Sequence, residues 1–230
     1  MASACQGRNS LDLLALRLTL QVACCTTAVL LVIGLPLAHW LARSRRSWKW
    51  LVEAVVSLPL VLPPTVLGFY LLWTTSRRSS FGQVLESLTG ETLPFTFLGV
   101  LVASVIYNLP FAVRPFVAAF SAVDRRLLEA AWCLGSSRWR TFWRVTLPLA
   151  WPGILSGMVL TFAHTIGEFG IVLMIGGNIP GVTRTLSIAI YEYVDSGNYT
   201  AAGQTSLVLL ISAFVMLALV HALQKRMPQT

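Results

Sequence analysis

Charged residues are scarce in this sequence. Asp, Glu, Lys and Arg make up 11% of its 230 residues and hydrophobic residues make up 56%, whereas an average soluble domain is about 25% charged. This composition excludes a water-soluble globule. The net charge of +8 would point to nucleic acid in a soluble protein. Because the sequence is so rich in apolar residues, the positive charge favours membrane lipid as the partner instead. No nucleic-acid partner is expected.

Cysteine and lysine are also rare. Of four cysteines only Cys24 and Cys25 are close together, and adjacent residues form neither a disulfide framework nor a CxxC metal site. A Walker A motif needs Gly-Lys-Ser/Thr, but neither of the two lysines, Lys49 and Lys225, follows a glycine. No zinc-ligand spacing, nucleophile elbow or pair of catalytic carboxylates occurs. We therefore expect no metal, no cofactor and no enzymatic activity, with any ATP hydrolysis on another chain.

Five apolar runs are long enough to cross a membrane. A helix that spans a hydrocarbon core of about 30 Å needs about 20 mostly apolar residues. The runs are 18–41, 51–75, 95–120, 148–170 and 206–223. The first is longer than a signal-peptide core and precedes a basic cluster that stops transfer, so we interpret it as a span. The sequence predicts an all-α integral membrane protein of about five transmembrane helices, as a single domain over residues 1–230.

Basic residues are divided unequally between the two sides of these spans. Eleven of the 17 Lys and Arg lie after the first span, after the third span and in the tail, five lie on the other side, and Arg114 lies within a span. Since basic loops stay cytoplasmic, we expect the N-terminus outside and the C-terminus in the cytoplasm.

A shorter helix is predicted outside the membrane core. Residues 185–194 place apolar side chains at helical spacing, but the segment is too short to cross the bilayer. Those side chains are Leu186, Ala189, Ile190 and Tyr193. The pattern indicates an interfacial or re-entrant helix on the outer side.

The connection 121–147 is predicted to hold two short helices. Asp124 can cap the first, and Gly135 offers the left-handed conformation that ends a helix. The apolar residues of the first helix recur on one side: Leu127, Leu128, Ala131 and Leu134. Ser136 or Ser137 then caps a second helix rich in Trp and Arg, a composition typical of the headgroup level. We expect a helix, a glycine joint and a helix on the cytoplasmic side.

Several residues of this loop form a recognisable series: Glu129, Ala130 and Ala131, then Gly135, then Leu147 and Pro148. Together they resemble the EAA loop of the permease subunits of bacterial ABC importers. The resemblance covers nearly the whole chain, from the first span to the fifth. It implies a type I importer permease fold in the bacterial inner membrane, with this loop coupling to an ATPase. It further implies three kinds of partner: a second copy of the chain, two cytoplasmic ATP-binding subunits and an outer-face (periplasmic) binding protein.

Two further segments narrow the resemblance. Residues 58–68 and 166–170, with Gly177 to Gly181 downstream, are similar to runs in molybdate permeases. Sulfate permeases share the Gly-Glu-Phe-Gly piece at 167–170 and the Gly-Asn-Ile piece at 177–179. Those two pieces therefore indicate only a permease for an oxyanion. The Leu-Pro-Pro and Ile-Pro-Gly pieces favour molybdate, so the resemblance implies a molybdate-binding protein as the partner on the outer face. The alternatives are a sulfate or tungstate permease of the same class, or a membrane scaffold whose basic loop binds lipid headgroups.

Prolines and polar residues within the spans are candidates for the translocation path. Proline kinks a helix and frees a carbonyl, which is tolerated at membrane depth only against protein or a water-filled cavity. The candidates are Pro59, Pro63, Pro64, Asn108, Pro110, Arg114 and Glu168. The prolines could instead serve packing, and Arg114 could attract a dianion or snorkel to the interface. For Glu168, a structural contact with His164 is favoured over anion binding.

Overall fold

A computed structural model of the chain describes residues 12–226, and every regular element in this range is helical. The elements are α1 (Leu13–Arg43), α2 (Lys49–Val61), α3 (Pro64–Thr75), α4 (Ser80–Thr89), α5 (Phe97–Ala122), α6 (Arg125–Cys133), α7 (Arg138–Thr141), a π-helical turn (Phe142–Thr146), α8 (Leu147–Ile166), α9 (Gly170–Gly176), α10 (Leu186–Asp195) and α11 (Tyr199–Arg226). Four helical stretches are long and apolar enough to cross a membrane, or up to five if a bent pair is counted. The predicted all-α membrane fold is confirmed.

The bundle is built on two parallel helices, α1 and α5. Val22 near the beginning of α1 packs in one cluster with Val100 near the beginning of α5. The guanidinium of Arg43, at the end of α1, donates to the carbonyl oxygens of Phe120 (3.3 Å) and Val123 (3.4 Å) at the end of α5. The two helices therefore run in the same direction. We call the side where both begin the starting face, and the side where both end the loop face.

Helix α8 runs antiparallel to α5 and approaches it closely. A Cβ on Gly153 would lie 2.5 Å from Cβ of Ala119, and a Cβ on Gly157 would lie 2.8 Å from the ring of Phe116. Only glycine fits at these distances. Helices in membranes associate through such small residues because lipid provides no hydrophobic drive between them. Phe116, fully buried, fills the space between α1, α5 and α8.

Residues 51–75, predicted as one span, form two helices. Helix α2 ends at Val61, and α3 begins at Pro64 after a bend of 110°. Pro63 and Pro64 lack the N–H groups that would continue the hydrogen bonding of α2. Because α1 and α5 are parallel, the chain must return from the loop face to the starting face between them. Helices α2 and α3 together are therefore one broken crossing.

Helix α10 corresponds to the short helix predicted at residues 185–194. Its first N–H joins it to α1, because the backbone N–H of Leu186 donates to Oγ1 of Thr19 (2.9 Å). Of the apolar residues at helical spacing, Leu186, Ala189 and Tyr193 are buried and Ile190 is half-buried. Ile188, outside that pattern, is also buried, because it joins the cluster between α1 and α5. When a helix has neighbours on more than one side, its buried residues lie on more than one face, and the apolar stripe in the sequence shows only one of these faces.

Helix α11 begins beside the start of α1, where Ala202 packs with Ala15. Its 28 residues span about 42 Å at the helical rise of 1.5 Å per residue, enough to reach the loop face. The two ends of the described chain therefore lie on opposite faces. Large apolar side chains along α11 are uncovered in the single chain, among them Leu210 at 66% and Phe214 at 71% exposure, as expected for a surface covered by lipid or another helix.

Candidate functional site: a buried polar cluster and a helical loop

A cluster of polar side chains lies inside the bundle between α5 and the junction of α8 with α9. Glu168, in that junction, is only 4% exposed. Ser104 Oγ donates to its Oε2 (2.5 Å), and Asn108 Nδ2 donates to its Oε1. Asn108 also donates to the carbonyl of Ser104 (2.9 Å). The carboxylate thus ties α5 to the chain between α8 and α9.

His164 belongs to the same cluster through Asn108. Its Nδ1 lies 2.9 Å from Oδ1 of Asn108, and its ring stacks on Phe111 with centroids 3.8 Å apart. The expected direct contact between His164 and Glu168 is therefore wrong. Helix α8 ends at Ile166, so the four-residue spacing that would align the two side chains on one helix is interrupted, and Asn108 bridges them.

The cluster lies close to the broken crossing. A Cβ on Gly170, two residues after Glu168, would meet Cβ of Pro64 at 3.2 Å. A Cβ on Gly68 of α3 would lie 2.7 Å from Cβ of Met174 on α9. Helix α9 therefore packs closely against α3, beginning at the break between α2 and α3. The structure brings Asn108, Glu168 and Pro64 into one region of the bundle.

The other path candidates lie apart from this cluster. Arg114 NH2 donates to the hydroxyl of Ser57 on α2 (2.9 Å), two residues before the buried Pro59. Pro110 is buried within α5. Arg114 therefore joins α5 to α2.

The loop between α5 and α8 has the two helices and the joint that the sequence predicts. Asp124 caps α6 by accepting from the N–H of Arg126 (2.9 Å). Gly135 has φ of +78°, and the N–H of Ser136 donates to the carbonyl of Ala131 (3.0 Å), which closes the helix end. Ser137 caps α7. The joint requires the left-handed conformation that glycine adopts without strain.

The apolar side of α6 differs from the prediction. Leu128 is buried in the bundle, whereas Leu127 is exposed and Leu134 is 89% exposed. Trp139 on α7 is 71% exposed. Leu128 is the buried residue of α6. The loop therefore presents apolar side chains that nothing in the described chain covers.

Glu129 of the loop is paired within its own helix. Its Oε1 accepts from Nε of Arg125 (2.9 Å), one helical turn earlier. Both side chains are more than half exposed, so the pair contributes little to stability. Its neighbour Ala130 is exposed and Ala131 is half-buried.

The loop connects to α8 without a flexible segment. Thr141 is followed directly by the π-helical turn, and α8 then begins at Leu147 and Pro148. The N–H of Leu147 reaches back to the carbonyl of Phe142. A wider turn accommodates Pro148, whose ring would crowd the carbonyl four residues earlier. A displacement of α7 is therefore transmitted to α8.

Three contributors to the site carry signals that the sequence analysis did not use. Ser104 precedes Asn108 by four residues, so both lie on one face of α5. Tyr107 and Phe111 have the same spacing and flank the ring of His164. Ser57, the partner of Arg114, has no comparable signal because it lies on another helix.

This architecture is that of a particular class of membrane protein. A multi-pass helical bundle with a discontinuous helix at membrane depth, a buried polar cluster beside it and a rigid loop on one face is typical of a membrane transport protein.

Comparison with known sequences agrees with this class. Residues 31–229 match the family described as "Binding-protein-dependent transport system inner membrane component". The chain belongs to this family. It is thus a component of a transport system of the inner membrane, as the resemblance of its loop implied.

Curated relatives align along most of the chain. The "Molybdenum transport system permease protein ModB" of Azotobacter vinelandii is 51% identical over 206 residues, covering 90% of this chain and 91% of that protein. The protein of the same name from Escherichia coli (strain K12) is 37% identical, covering 88% and 89%. The "Probable sulfate transport system permease protein cysT" of Chlorokybus atmophyticus is 36% identical, covering 86% of this chain and 69% of that protein.

Solved structures show the same fold. A bacterial alginate ABC transporter in complex with a periplasmic protein matches with a TM-score of 0.76 at 16% identity, covering 95% of this chain and 80% of that one. The inward-facing MetNI methionine ABC transporter matches with a TM-score of 0.72 at 21% identity, covering 94% and 95%. The predicted fold of a type I ABC importer permease is confirmed.

Proposed function

We propose that this chain is the permease subunit of an ATP-driven ABC importer that carries molybdate across the bacterial inner membrane. The observation that carries the proposal is the 51% identity to a molybdenum permease over 90% of this chain and 91% of that one. The sulfate relative aligns over only 69% of its own length, so molybdate is favoured over sulfate. The chain is a transport component and not an enzyme, and ATP is hydrolysed on a separate subunit.

The proposed assembly contains two copies of the chain around a twofold axis, because five crossings enclose too little for a central pathway. Two ATP-binding subunits dock on α6 and α7 of the two copies at the loop face. The exposed Leu134 and Trp139 support this docking. A binding protein delivers molybdate at the starting face, and lipid covers the remaining apolar surface.

In the proposed cycle, closure of the ATP-binding subunits draws the two loops together. The continuous α7, π-helical turn and α8 carry this motion into the bundle. There the polar cluster joins α8 to α5, and α9 rests on the broken crossing. We propose that the path follows α2, α3 and α5 past Pro59, Pro63, Pro64, Asn108, Pro110, Arg114 and Glu168. Passage requires weak sites that release the anion.

Complementation tests the cargo. In a strain that lacks its own high-affinity molybdate permease, this chain with its partner subunits should restore molybdoenzyme activity at low molybdate. Excess tungstate should compete better than sulfate, and a strain carrying the partners without this chain is the control. Equal competition by sulfate would favour the sulfate permease, and no restoration at any molybdate concentration would reject the molybdate proposal.

Cysteine labelling tests the orientation, since the starting face should be outside and the loop face cytoplasmic. Single cysteines at Ser3 and Gln229, both outside the described residues, are introduced after the four native cysteines are replaced. A membrane-impermeant reagent added to intact cells should label position 3 and not position 229, because the basic loops remain inside. Permeabilised cells, in which both positions must react, are the control. The reverse pattern contradicts the orientation and places α6 and α7 on the wrong side for ATP coupling.

A further inference from the structure

A cavity of about 300 Å³ opens at the loop face between the end of α1 and the loop helices. Its walls include His39, Arg43, Arg45, Arg125 and Arg138. These residues come from α1, the α1–α2 connection, α6 and α7. At about 30 Å³ per water molecule, the cavity has room for a tetrahedral oxyanion and several waters. It lies where the bundle and the loop meet, apart from the polar cluster and the broken crossing.

The charge of this cavity is unbalanced. Four arginines line it, and within residues 12–226 no carboxylate does. Arg125 is paired with Glu129, but Arg45 and Arg138 form no ion pair in the part of the chain that the structure describes. Like charges gathered around one space repel each other, and an anion between them would remove the repulsion.

Two buried donors in the wall are already held in place. Arg43 is fixed by its bonds to the carbonyl oxygens of Phe120 and Val123, and its Nε is buried without a partner among the described residues. His39 packs edge-on against Phe120 and Phe142, with ring centroids 5.2 and 4.9 Å apart, and its Nδ1 is also buried and unpartnered. Both side chains therefore stand in fixed positions in the wall of the cavity.

We propose that this cavity binds a phosphate-type oxyanion, held by Arg43, Arg45 and Arg138. Guanidinium groups match the oxygen geometry of such anions and bind them through charge-assisted hydrogen bonds. The anion is either a phospholipid headgroup, since the cavity lies at the end of two membrane helices, or free inorganic phosphate. In both cases it connects the end of α1 with α7 and so stabilises the angle at which the loop leaves the bundle.

The test uses the purified full chain in two settings. In nanodiscs of phosphatidylcholine, equilibrium dialysis at constant ionic strength measures the binding of radiolabelled inorganic phosphate. From nanodiscs of phosphatidylcholine and phosphatidylglycerol, native mass spectrometry counts the phosphatidylglycerol molecules retained per chain. Arg45→Gln/Arg138→Gln removes two charges from the cavity. The control is Arg126→Gln/Arg140→Gln, which also removes two charges from the loop face, one of them from α7, but outside the cavity lining.

A phosphate-type anion should be retained by wild type and by the control variant in one of the two settings. The cavity variant should bind it at least about tenfold more weakly, because two charge-assisted contacts are lost. Loss of phosphatidylglycerol retention identifies a lipid headgroup, and loss of phosphate binding identifies a free oxyanion. The proposal is overturned if wild type retains neither ligand, or if the cavity and control variants behave alike in both settings.

Discussion

Replacing Glu168 with alanine is expected to lower the free energy of unfolding by about 3 kcal/mol. The side chain is 4% exposed and accepts hydrogen bonds from Ser104 and Asn108. Alanine would leave a cavity and two donors without their acceptor. The loss would loosen α5 from the α8–α9 junction, so molybdate uptake by the assembled importer should fall with stability. Unfolding by SDS in mixed micelles measures the first effect, and uptake in proteoliposomes measures the second.

Two further variants separate the role of this site from general damage. Glu168→Gln keeps the size, can accept from Asn108 with its carbonyl oxygen and can donate to Ser104 with its amide. It should cost less than about 1 kcal/mol and transport better than Glu168→Ala. Glu53→Ala breaks an exposed pair with Lys49 (3.3 Å) and should change stability by less than about 1 kcal/mol. If Glu168→Ala is as stable as Glu53→Ala, the cluster does not hold the helices together.

Gly135→Val is expected to abolish coupling between ATP hydrolysis and uptake. Gly135 has φ of +78°, and a Cβ there would meet nothing within 4 Å. The effect is therefore backbone strain and not a clash, on the order of 1–2 kcal/mol or more for a branched residue. The joint can relieve this strain by changing the angle between α6 and α7, which would misplace the surface proposed to dock the ATP-binding subunit. Uptake and ATPase activity of the reconstituted importer, normalised to permease in the membrane, are the measurements.

A matched control exists for this variant. Gly90, at the end of α4, has the same φ of +78° and equally empty surroundings, so Gly90→Val introduces the same strain outside the loop. Gly90→Val should leave coupling intact.

Glu129→Ala removes only an exposed pair with Arg125, so membrane insertion should be normal while docking of the ATP-binding subunit weakens. Normal transport by both Gly135→Val and Glu129→Ala would mean that this loop is not the coupling element. A larger effect of replacing Trp139 and Trp143 would identify the loop as an interfacial anchor.

The sequence by itself determined those properties that depend on short stretches of chain. The scarcity of charge and the length of the apolar runs predicted a helical membrane protein, and both the fold class and the family are confirmed. The glycine joint at Gly135 and the cap at Asp124 were also predictable. A cap and a left-handed turn are local, because their hydrogen bonds join residues only a few positions apart.

The tertiary structure alone decided how distant segments meet. Asn108 and Glu168 are 60 residues apart, and no periodicity shows that Asn108 bridges Glu168 to His164. The parallel course of α1 and α5, which makes α2 and α3 one broken crossing, follows from the cluster that joins Val22 to Val100 and from the bond of Arg43 to the end of α5. The arginine cavity likewise forms only when four separate segments converge. Helical spacing specifies which side chains share a face of one helix, but the neighbour that covers that face depends on how all the helices pack together.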